Sequence, residues 1–231
     1  MQKNEHIMRV IMSISLIAAM FFWSGEAALV RAEIMNEKEK TTIVIDAGHG
    51  GRDPGKVGVN GCYEKDINLK IAEKLKEFLQ AENIEIIMTR ENDEGLYNEN
   101  AGNKKNEDMK KRVTVIEESQ PVLTVSIHQN SYGDERIKGA QTFYYGKSKE
   151  SSLLAKHIQD RLVYTLDKEN HRKEKSNESY YLLKNVSGTI VIVECGFLSN
   201  SKECELLNDD YYQEKVAWAI YMGIMQYLNK K

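Results

Sequence analysis

Five consecutive β-branched residues at positions 189–193, Thr-Ile-Val-Ile-Val, constrain the fold more than any other part of the sequence. An unbroken run of this kind is typical of a central parallel strand that is covered on both faces. Apolar or alternating segments elsewhere predict four further strands, at residues 42–45, 84–89, 122–127 and 139–145. The last of these alternates between polar and apolar residues, which favours an edge or mixed strand.

Amphipathic segments separate these strands. Apolar residues recur at helical spacing in four segments, at residues 66–80, 109–119, 151–166 and 210–228. Asp66 is the predicted N-cap of the first helix, and the polar residues 92–108 predict an exposed loop beside the functional site. Because helices alternate with strands, we expect an α/β fold: a three-layer domain with a mostly parallel twisted sheet of about six strands flanked by helices.

The first 40 residues are predicted to lie outside this domain. Two basic residues, Lys3 and Arg9, precede an apolar run of about 14 residues, which is shorter than the roughly 20 residues of a membrane-spanning helix. Small residues that resemble a signal-peptidase site follow. We therefore predict a signal peptide or N-terminal membrane anchor at residues 1–32, a linker at 33–40 and one domain at 41–231. Either a cleaved signal peptide or an uncleaved anchor would place the domain outside the cytoplasmic membrane.

Charge and cysteine content exclude two classes of protein. The formal charge of −3 comes from 32 basic and 35 acidic residues that are mixed along the chain, so no nucleic-acid partner is expected. The three cysteines are an odd number without paired spacing, which excludes a disulfide scaffold. Cys195 is predicted to be a buried apolar residue. For Cys62, a thiolate ligand and a bridge to Cys204 both stay open.

Ionisable residues follow three of the predicted strands. His49 follows the first strand within Asp-Ala-Gly-His-Gly-Gly, His128 follows the third, and Glu194 follows the β-branched run. Because the carboxyl ends of parallel strands meet at one edge, these side chains can converge, and Glu64 enters from the loop before the first helix. A catalytic zinc site needs three protein ligands, such as two histidines and a carboxylate, and a second carboxylate that does not bind the metal can act in catalysis. The alternatives are structural histidines and a solvated helix start at Glu64.

Several motifs in order carry a family resemblance. They are Ile-Asp-Ala-Gly-His-Gly-Gly at residues 45–51, Glu64 shortly before Asn68-Leu69, Thr89-Arg90, Ser-Ile-His-Gln-Asn at 126–130, and Val-Glu-Cys-Gly-Phe-Leu-Ser-Asn at 193–200. Together they resemble the zinc-dependent N-acetylmuramoyl-L-alanine amidases of the Amidase_3 type. The resemblance covers about residues 41–228, so it implies that residues 41–231 are a zinc amidase catalytic domain.

The resemblance implies a role for each matching residue. His49, Glu64 and His128 are the implied Zn²⁺ ligands, and Glu194 is the implied catalytic carboxylate, acting as general base and then general acid. The bond cut is the amide between N-acetylmuramic acid and L-alanine in peptidoglycan. Four further residues, Asp46, Asn130, Arg90 and Arg112, are candidates for positioning or substrate contacts. The first two are placed to orient the ligand histidines, whereas the two arginines match family positions that a structural ion pair explains equally well.

A single catalytic domain without a wall-binding module is most similar to the spore-cortex, germination-specific CwlD-type amidases. That similarity implies removal of stem peptides in the spore cortex, as a step towards muramic-δ-lactam that a separate peptidoglycan deacetylase completes. It also implies an accessory activating protein and a location in the spore intermembrane space or cortex, otherwise the cell wall. The alternatives are a zinc peptidase acting within the stem peptide, a vegetative cell-wall autolysin and a noncatalytic wall-binding module. The presence of Glu194 argues against the last.

Overall fold

A single sheet of six strands forms the middle layer of the protein. The computed structural model describes residues 41–230, so the predicted export segment at 1–32 and linker at 33–40 lie outside the described residues. The strands are β1 (Thr42–Ala47), β2 (Glu85–Met88), β3 (Leu123–Asn130), β4 (Gln141–Tyr144), β5 (Lys175–Ser176) and β6 (Ile190–Phe197). Their order across the sheet is β2-β1-β3-β6-β4-β5. The predicted α/β fold with about six strands is confirmed.

Helices cover both faces of this sheet. They are α1 (Glu64–Gln80), α2 (Lys104–Ser119), α3 (Lys149–Leu166), α4 (Tyr181–Asn185), α5 (Ser201–Asn208) and α6 (Asp210–Leu228). The larger core lies between the sheet and helices α1, α3 and α6, and a smaller core lies on the other face under α2 and α4. None of the described helices combines the length and apolarity that a membrane crossing requires.

Side chains alternate between the two faces along the central strands, as the pleat of a strand dictates. Odd-numbered residues of β1, β3 and β6, such as Ile45, Ile127 and Val193, fill the larger core. The even-numbered positions turn to the opposite face, where Val44 and Ile192 join the smaller core. This face therefore receives the polar residues of the motifs, and the functional site is built on it, with the larger core as its support.

Two of the helix predictions were wrong at their first turns. Helix α1 begins at Glu64 instead of after Asp66, and its N-cap Tyr63 makes no side-chain capping bond, so a search for a capping side chain could not locate the start. Helix α2 begins at Lys104, inside the predicted loop 92–108. It is capped by Asn103, whose side chain accepts the N–H of Asn106 across 3.0 Å. The buried residues of α2 include charged ones, so no apolar stripe marks the start of this helix.

The ends of the central strands also differ from the prediction. Strand β3 continues past His128 to Asn130, and β6 continues past Glu194 to Phe197. Both residues therefore lie inside paired strands rather than at strand ends, because β3 pairs with β6 in parallel and β4 pairs with β6 antiparallel. The antiparallel β4 confirms the predicted mixed sheet, while the two-residue β5 takes the edge position.

Candidate metal centre and active site

The turn after β1 presents His49 at the carboxyl edge of the sheet. His49 has a φ of 63°, a left-handed conformation that few residues with a side chain adopt. The preceding residue, Gly48, donates its N–H to the carbonyl of Ile127 across 3.1 Å. A Cβ atom at Gly48 would lie 2.3 Å from the ring of His128. Only glycine therefore lets the turn bring the two histidine rings to a centroid distance of 4.9 Å.

The carboxylate of Glu64 is almost completely buried between the two histidines. Its Oε1 lies 3.0 Å from His128 Nδ1 and 3.2 Å from His49 Nε2. Three further groups donate to this carboxylate: the main-chain N–H of Gln129 to Oε1 across 3.0 Å, the side-chain amide of Asn68 to Oε1 across 3.4 Å, and the main-chain N–H of Lys56 to Oε2 across 2.7 Å. Burial raises the pKa of Glu64, but the hydrogen bonds with both histidines outweigh it and hold the pKa far below its usual value.

Three ligand atoms converge at this point. His49, Glu64 and His128 each offer one atom to a group in which all the atoms lie within 4.8 Å of one another. Two imidazole nitrogens and one carboxylate oxygen are a donor set that suits a divalent metal and leaves a further coordination position for water or substrate. The structure thus brings together the three residues that the sequence predicted as ligands, and their chemistry fits a metal ion.

Asp53 supports His49 from the side opposite to Glu64. Its Oδ2 lies 3.0 Å from His49 Nδ1, so that His49 Nε2 faces the ligand group. Burial lowers the pKa of His49, whereas the hydrogen bonds with Asp53 and Glu64 raise it, to about 9 overall. A carboxylate in this position fixes the ring and makes it a stronger metal ligand. Asp53 was not predicted, although its position four residues after His49 in a turn was a usable signal.

A buried ion-pair network holds the main chain beneath His49. Arg112 of α2 contacts Asp46 and Asp108, each across 2.6 Å. The same guanidinium donates to the carbonyl of His49 across 2.6 Å. Arg90 donates to the main-chain carbonyls of the same turn. The sequence left two explanations for the arginines, a match to family positions and a structural ion pair. Arg112 forms such an ion pair, whereas Arg90 holds the main chain of the turn by hydrogen bonds to its carbonyls.

The placement of Asp46 and Asn130 differs from the prediction that they orient the ligand histidines. Asp46 is enclosed by Arg112 and two hydroxyl donors, so its link to His49 is indirect and runs through Arg112. Burial raises the pKa of Asp46, but the charge of Arg112 and the hydrogen bonds lower it, to about 2 overall. Asn130 lies beyond a register shift in β3, where it accepts the N–H of Ser131. In the described site, Asp53 takes the expected role.

Glu194 extends from β6 into the same site. It is paired in register with His128 on the neighbouring strand, and it is 8% exposed. Its Oε1 accepts a hydrogen bond from the hydroxyl of Tyr180 across 3.3 Å, while its Oε2 has no hydrogen-bond partner among the described residues. Burial raises the pKa of Glu194 above the usual value for a glutamate. A buried carboxylate with one unpartnered oxygen is suited to accept a proton from water.

These side chains share one open cleft. Its walls include His49, Asp53, His128, Tyr180 and Glu194. Tyr97, Lys104 and Lys105 also line the cleft, so the predicted loop at residues 92–108 does lie beside the site, together with the first turn of α2. Tyr180 was not predicted, because it ends a polar stretch and its position beside Glu194 depends on a contact between separate segments.

Comparisons with known proteins identify the family of this chain. The family model for N-acetylmuramoyl-L-alanine amidases, Amidase_3, matches residues 43–226. The germination-specific N-acetylmuramoyl-L-alanine amidase of Bacillus subtilis is 42% identical over 192 residues, which cover 82% of this chain and 80% of that protein. The structure of the CwlD amidase from Clostridioides difficile, in complex with the GerS lipoprotein, matches with a TM-score of 0.81 and 45% identity, covering 83% of this chain and 100% of that chain.

A more distant solved structure shares the same fold. The N-acetylmuramoyl-L-alanine amidase AmiC2 of Nostoc punctiforme matches with a TM-score of 0.71 and 27% identity, covering 81% of this chain and 97% of that chain. The family match spans β1 to α6, and so includes every residue of the site described above. The chain is therefore a member of the N-acetylmuramoyl-L-alanine amidase family, a family of peptidoglycan hydrolases.

Proposed function

We propose that this amidase is a zinc enzyme that removes stem peptides from peptidoglycan of the spore cortex. The bond that it hydrolyses joins the lactyl group of N-acetylmuramic acid to L-alanine. The observation that carries the zinc assignment is the convergence of His49, Glu64 and His128, with all three ligand atoms within 4.8 Å of one another. When bound there, zinc lowers the pKa of a coordinated water to about 7 and polarises the substrate carbonyl.

The protein side chains supply positioning and proton transfer. Glu194 accepts the proton of the attacking water through its unpartnered Oε2 and returns it to the nitrogen of L-alanine as the amide bond breaks. Tyr180 positions Glu194 by its hydrogen bond to Oε1, which leaves Oε2 to face the reacting atoms. Asp53 orients His49 for metal binding. The charged network of Arg112, together with Arg90, fixes the turn that carries His49.

The cortex assignment draws on the similarity to germination-specific relatives. The related enzyme of Bacillus subtilis is named for germination, and the related CwlD amidase was solved with a lipoprotein. We assign an accessory lipoprotein partner to this chain as well. Removal of the stem peptide leaves muramic acid without its peptide, the substrate that a separate deacetylase needs to form muramic-δ-lactam. The chain is exported, and we place it in the spore intermembrane space or cortex, with residues 1–32 as its export signal or anchor.

Mass spectrometry of the products tests the reaction. Purified protein is stripped of metal with a chelator and incubated with cortex peptidoglycan, with and without added zinc and the accessory lipoprotein. We expect zinc-dependent release of peptides that begin with a free L-alanine amino group. The His128→Ala variant should lose bound zinc and activity, while His171→Ala, at an exposed histidine, should retain both. Peptides cut internally would identify a peptidase instead.

Analysis of spores tests the biological role separately. In a strain that lacks this gene, cortex muropeptides should contain stem peptides where muramic-δ-lactam normally stands. Complementation with the intact gene should restore the lactam, and the Glu194→Gln form should not. Normal lactam content in the deletion strain would reject the cortex assignment and favour a vegetative autolysin, while leaving the amidase chemistry intact.

A further inference from the structure

Cys62 and Cys204 lie side by side although they are 142 residues apart in the chain. Their Sγ atoms are 3.7 Å apart, and both side chains are thiols in this structure. Cys204 is fully buried in α5, whereas Cys62 is partly exposed. The third cysteine, Cys195, is buried in β6 with its sulfur directed at the carbonyl of Val193. The odd number of cysteines therefore resolves into one pair and one single thiol.

The loop around Cys62 is built closely over both sulfur atoms. A Cβ atom at Gly58 would lie 2.5 Å from the sulfur of Cys62 and 2.7 Å from that of Cys204, so only glycine lets the main chain pass there. Gly58 donates its N–H to the carbonyl of Cys62 across 2.8 Å, and Val59 donates to Leu198 across 3.1 Å. These bonds hold the loop against the end of β6 and keep the two sulfurs together.

We propose that Cys62 and Cys204 form a disulfide bond in the exported protein. The sulfur atoms need to approach by about 1.7 Å to reach a bond length of about 2.0 Å, a movement within the reach of side-chain rotation at the partly exposed Cys62. Export places the chain in a compartment in which disulfides form and persist. The cross-link is independent of the zinc and cortex assignments, and it goes beyond them.

The chemistry requires an external disulfide as the oxidant, such as a thiol–disulfide oxidoreductase. The deprotonated sulfur of Cys62 attacks one sulfur of that disulfide, forms a mixed disulfide and releases the first thiolate. Cys204 then loses its proton and attacks the sulfur of Cys62, which releases the second thiolate. The two cysteines lose two electrons and two protons, and the oxidant is reduced to two thiols. The order follows from exposure, because only Cys62 is accessible from outside.

The bond would join two segments that lie next to elements carrying active-site residues. Cys62 stands two residues before Glu64, and α5, which contains Cys204, follows β6 with Glu194. Because the closed loop is long, the cross-link removes many conformations of the unfolded chain and stabilises the folded protein. We expect the oxidised protein to melt about 5 to 15 °C higher than the reduced protein.

Thiol counting on the full-length protein tests the proposal. Reduced protein is incubated with oxidised glutathione, quenched with acid, unfolded and alkylated before its mass is measured. We expect one alkylated cysteine, a peptide pair that joins Cys62 to Cys204 without prior reduction, and the rise in melting temperature. Protein isolated from its exported location and unfolded in the presence of N-ethylmaleimide should also carry one alkylated cysteine.

Variants identify the pair. The Cys204→Ala variant should show no rise in melting temperature on oxidation, while Cys195→Ala should keep the full rise. Wild-type protein compared with itself, oxidised and reduced, keeps the test valid if a variant does not fold. Three free thiols after oxidation or after isolation, a stable glutathione adduct on Cys62, or a bridge that includes Cys195 would each overturn the proposal. None of these outcomes depends on amidase activity.

Discussion

His128 and Glu194 are direct neighbours across the parallel pair of strands β3 and β6. Both side chains lie on the same face of the sheet, where they line one cleft. The register of two buried strands thus fixes the distance between a metal ligand and the proposed general base. Neither position depends on a mobile loop, so the catalytic geometry is set by the same hydrogen bonds that build the sheet. The pairing becomes irregular only beyond His128, where the register shifts.

Replacing Glu194 with glutamine separates proton transfer from metal binding. The amide has a similar shape but cannot take a proton from water, so we expect kcat to fall about 100- to 10,000-fold. Metal content should stay unchanged, because Glu194 is not one of the three grouped ligands. Peptide release and metal analysis measure the two properties. The Glu205→Gln variant, at an exposed position in α5, is the control. Loss of the metal together with activity would contradict the assigned role.

Replacing Tyr180 with phenylalanine should move the acid limb of the pH–rate profile. The hydroxyl of Tyr180 donates to Oε1 of Glu194 and so stabilises the ionised carboxylate. Its loss raises the pKa of Glu194 further, and the acid limb of kcat/KM should move to higher pH. On the acid side we expect about a tenfold loss of activity, with recovery at higher pH. Tyr164→Phe, at an exposed tyrosine, is the control. An unshifted limb would show that the hydroxyl of Tyr180 does not stabilise the ionised form of Glu194.

Much of the fold was predictable because its strongest elements carry strong periodic patterns. The β-branched run gave β6, and the long apolar stripe gave α6. The start of α2 at Lys104 was not predictable in this way, because the buried residues of this helix include the charged Asp108 and Arg112. Their partner Asp46 lies on a distant strand, so burial of this helix depends on charge pairing that a local apolar pattern does not record.

The site was predictable where chemistry coincides with strand position. His49, His128 and Glu194 follow or end apolar runs, and the structure gathers them in one cleft. Tyr180 and the true neighbours of Asp46 were not predictable, because each depends on which segments meet in three dimensions. The left-handed conformation of His49 was also not predictable from the sequence, because only the neighbouring glycines indicate a turn there.

Replacing Asp53 with asparagine should weaken metal binding without removing a metal ligand. The carboxylate of Asp53 lies 3.0 Å from Nδ1 of His49, and the amide can neither supply its negative charge nor fix the ring as firmly. We expect metal affinity to fall about 10- to 100-fold, measured by competition with a chromogenic chelator at neutral pH. Asp134→Asn, at a surface ion pair, should leave the affinity unchanged. Equal affinities of the Asp53 variant and wild type would exclude the proposed support of His49.

Replacing Arg112 with methionine should destabilise the fold. The side chain is 2% exposed, and its removal leaves Asp46 and Asp108 without their cation. Breaking one side of a buried ion pair typically costs about 3 to 5 kcal/mol, and we expect a loss of that order in the free energy of unfolding. Urea denaturation measures it. The matched control is Arg136→Met, which removes a surface ion pair and should change stability little. A small effect at both sites would show that the buried network contributes little to stability.

Acid should remove the stabilisation that Asp46 provides. Its pKa is lowered from 3.8 in the unfolded chain to about 2 in the folded protein, so the ionised form stabilises the fold. This contribution is fully present above about pH 4, where it amounts to about 2 kcal/mol, and it is lost as the pH falls through about 2.

The test compares urea unfolding of wild type and Asp46→Asn between neutral pH and pH 2, with a chelator present throughout. Other carboxylates titrate in both proteins, so the difference between the two unfolding free energies isolates Asp46. That difference should shrink as the pH falls below about 4. Asp160→Asn serves as the surface control. A difference that stays constant with pH would mean that Asp46 stabilises the fold through its shape and packing rather than through its charge.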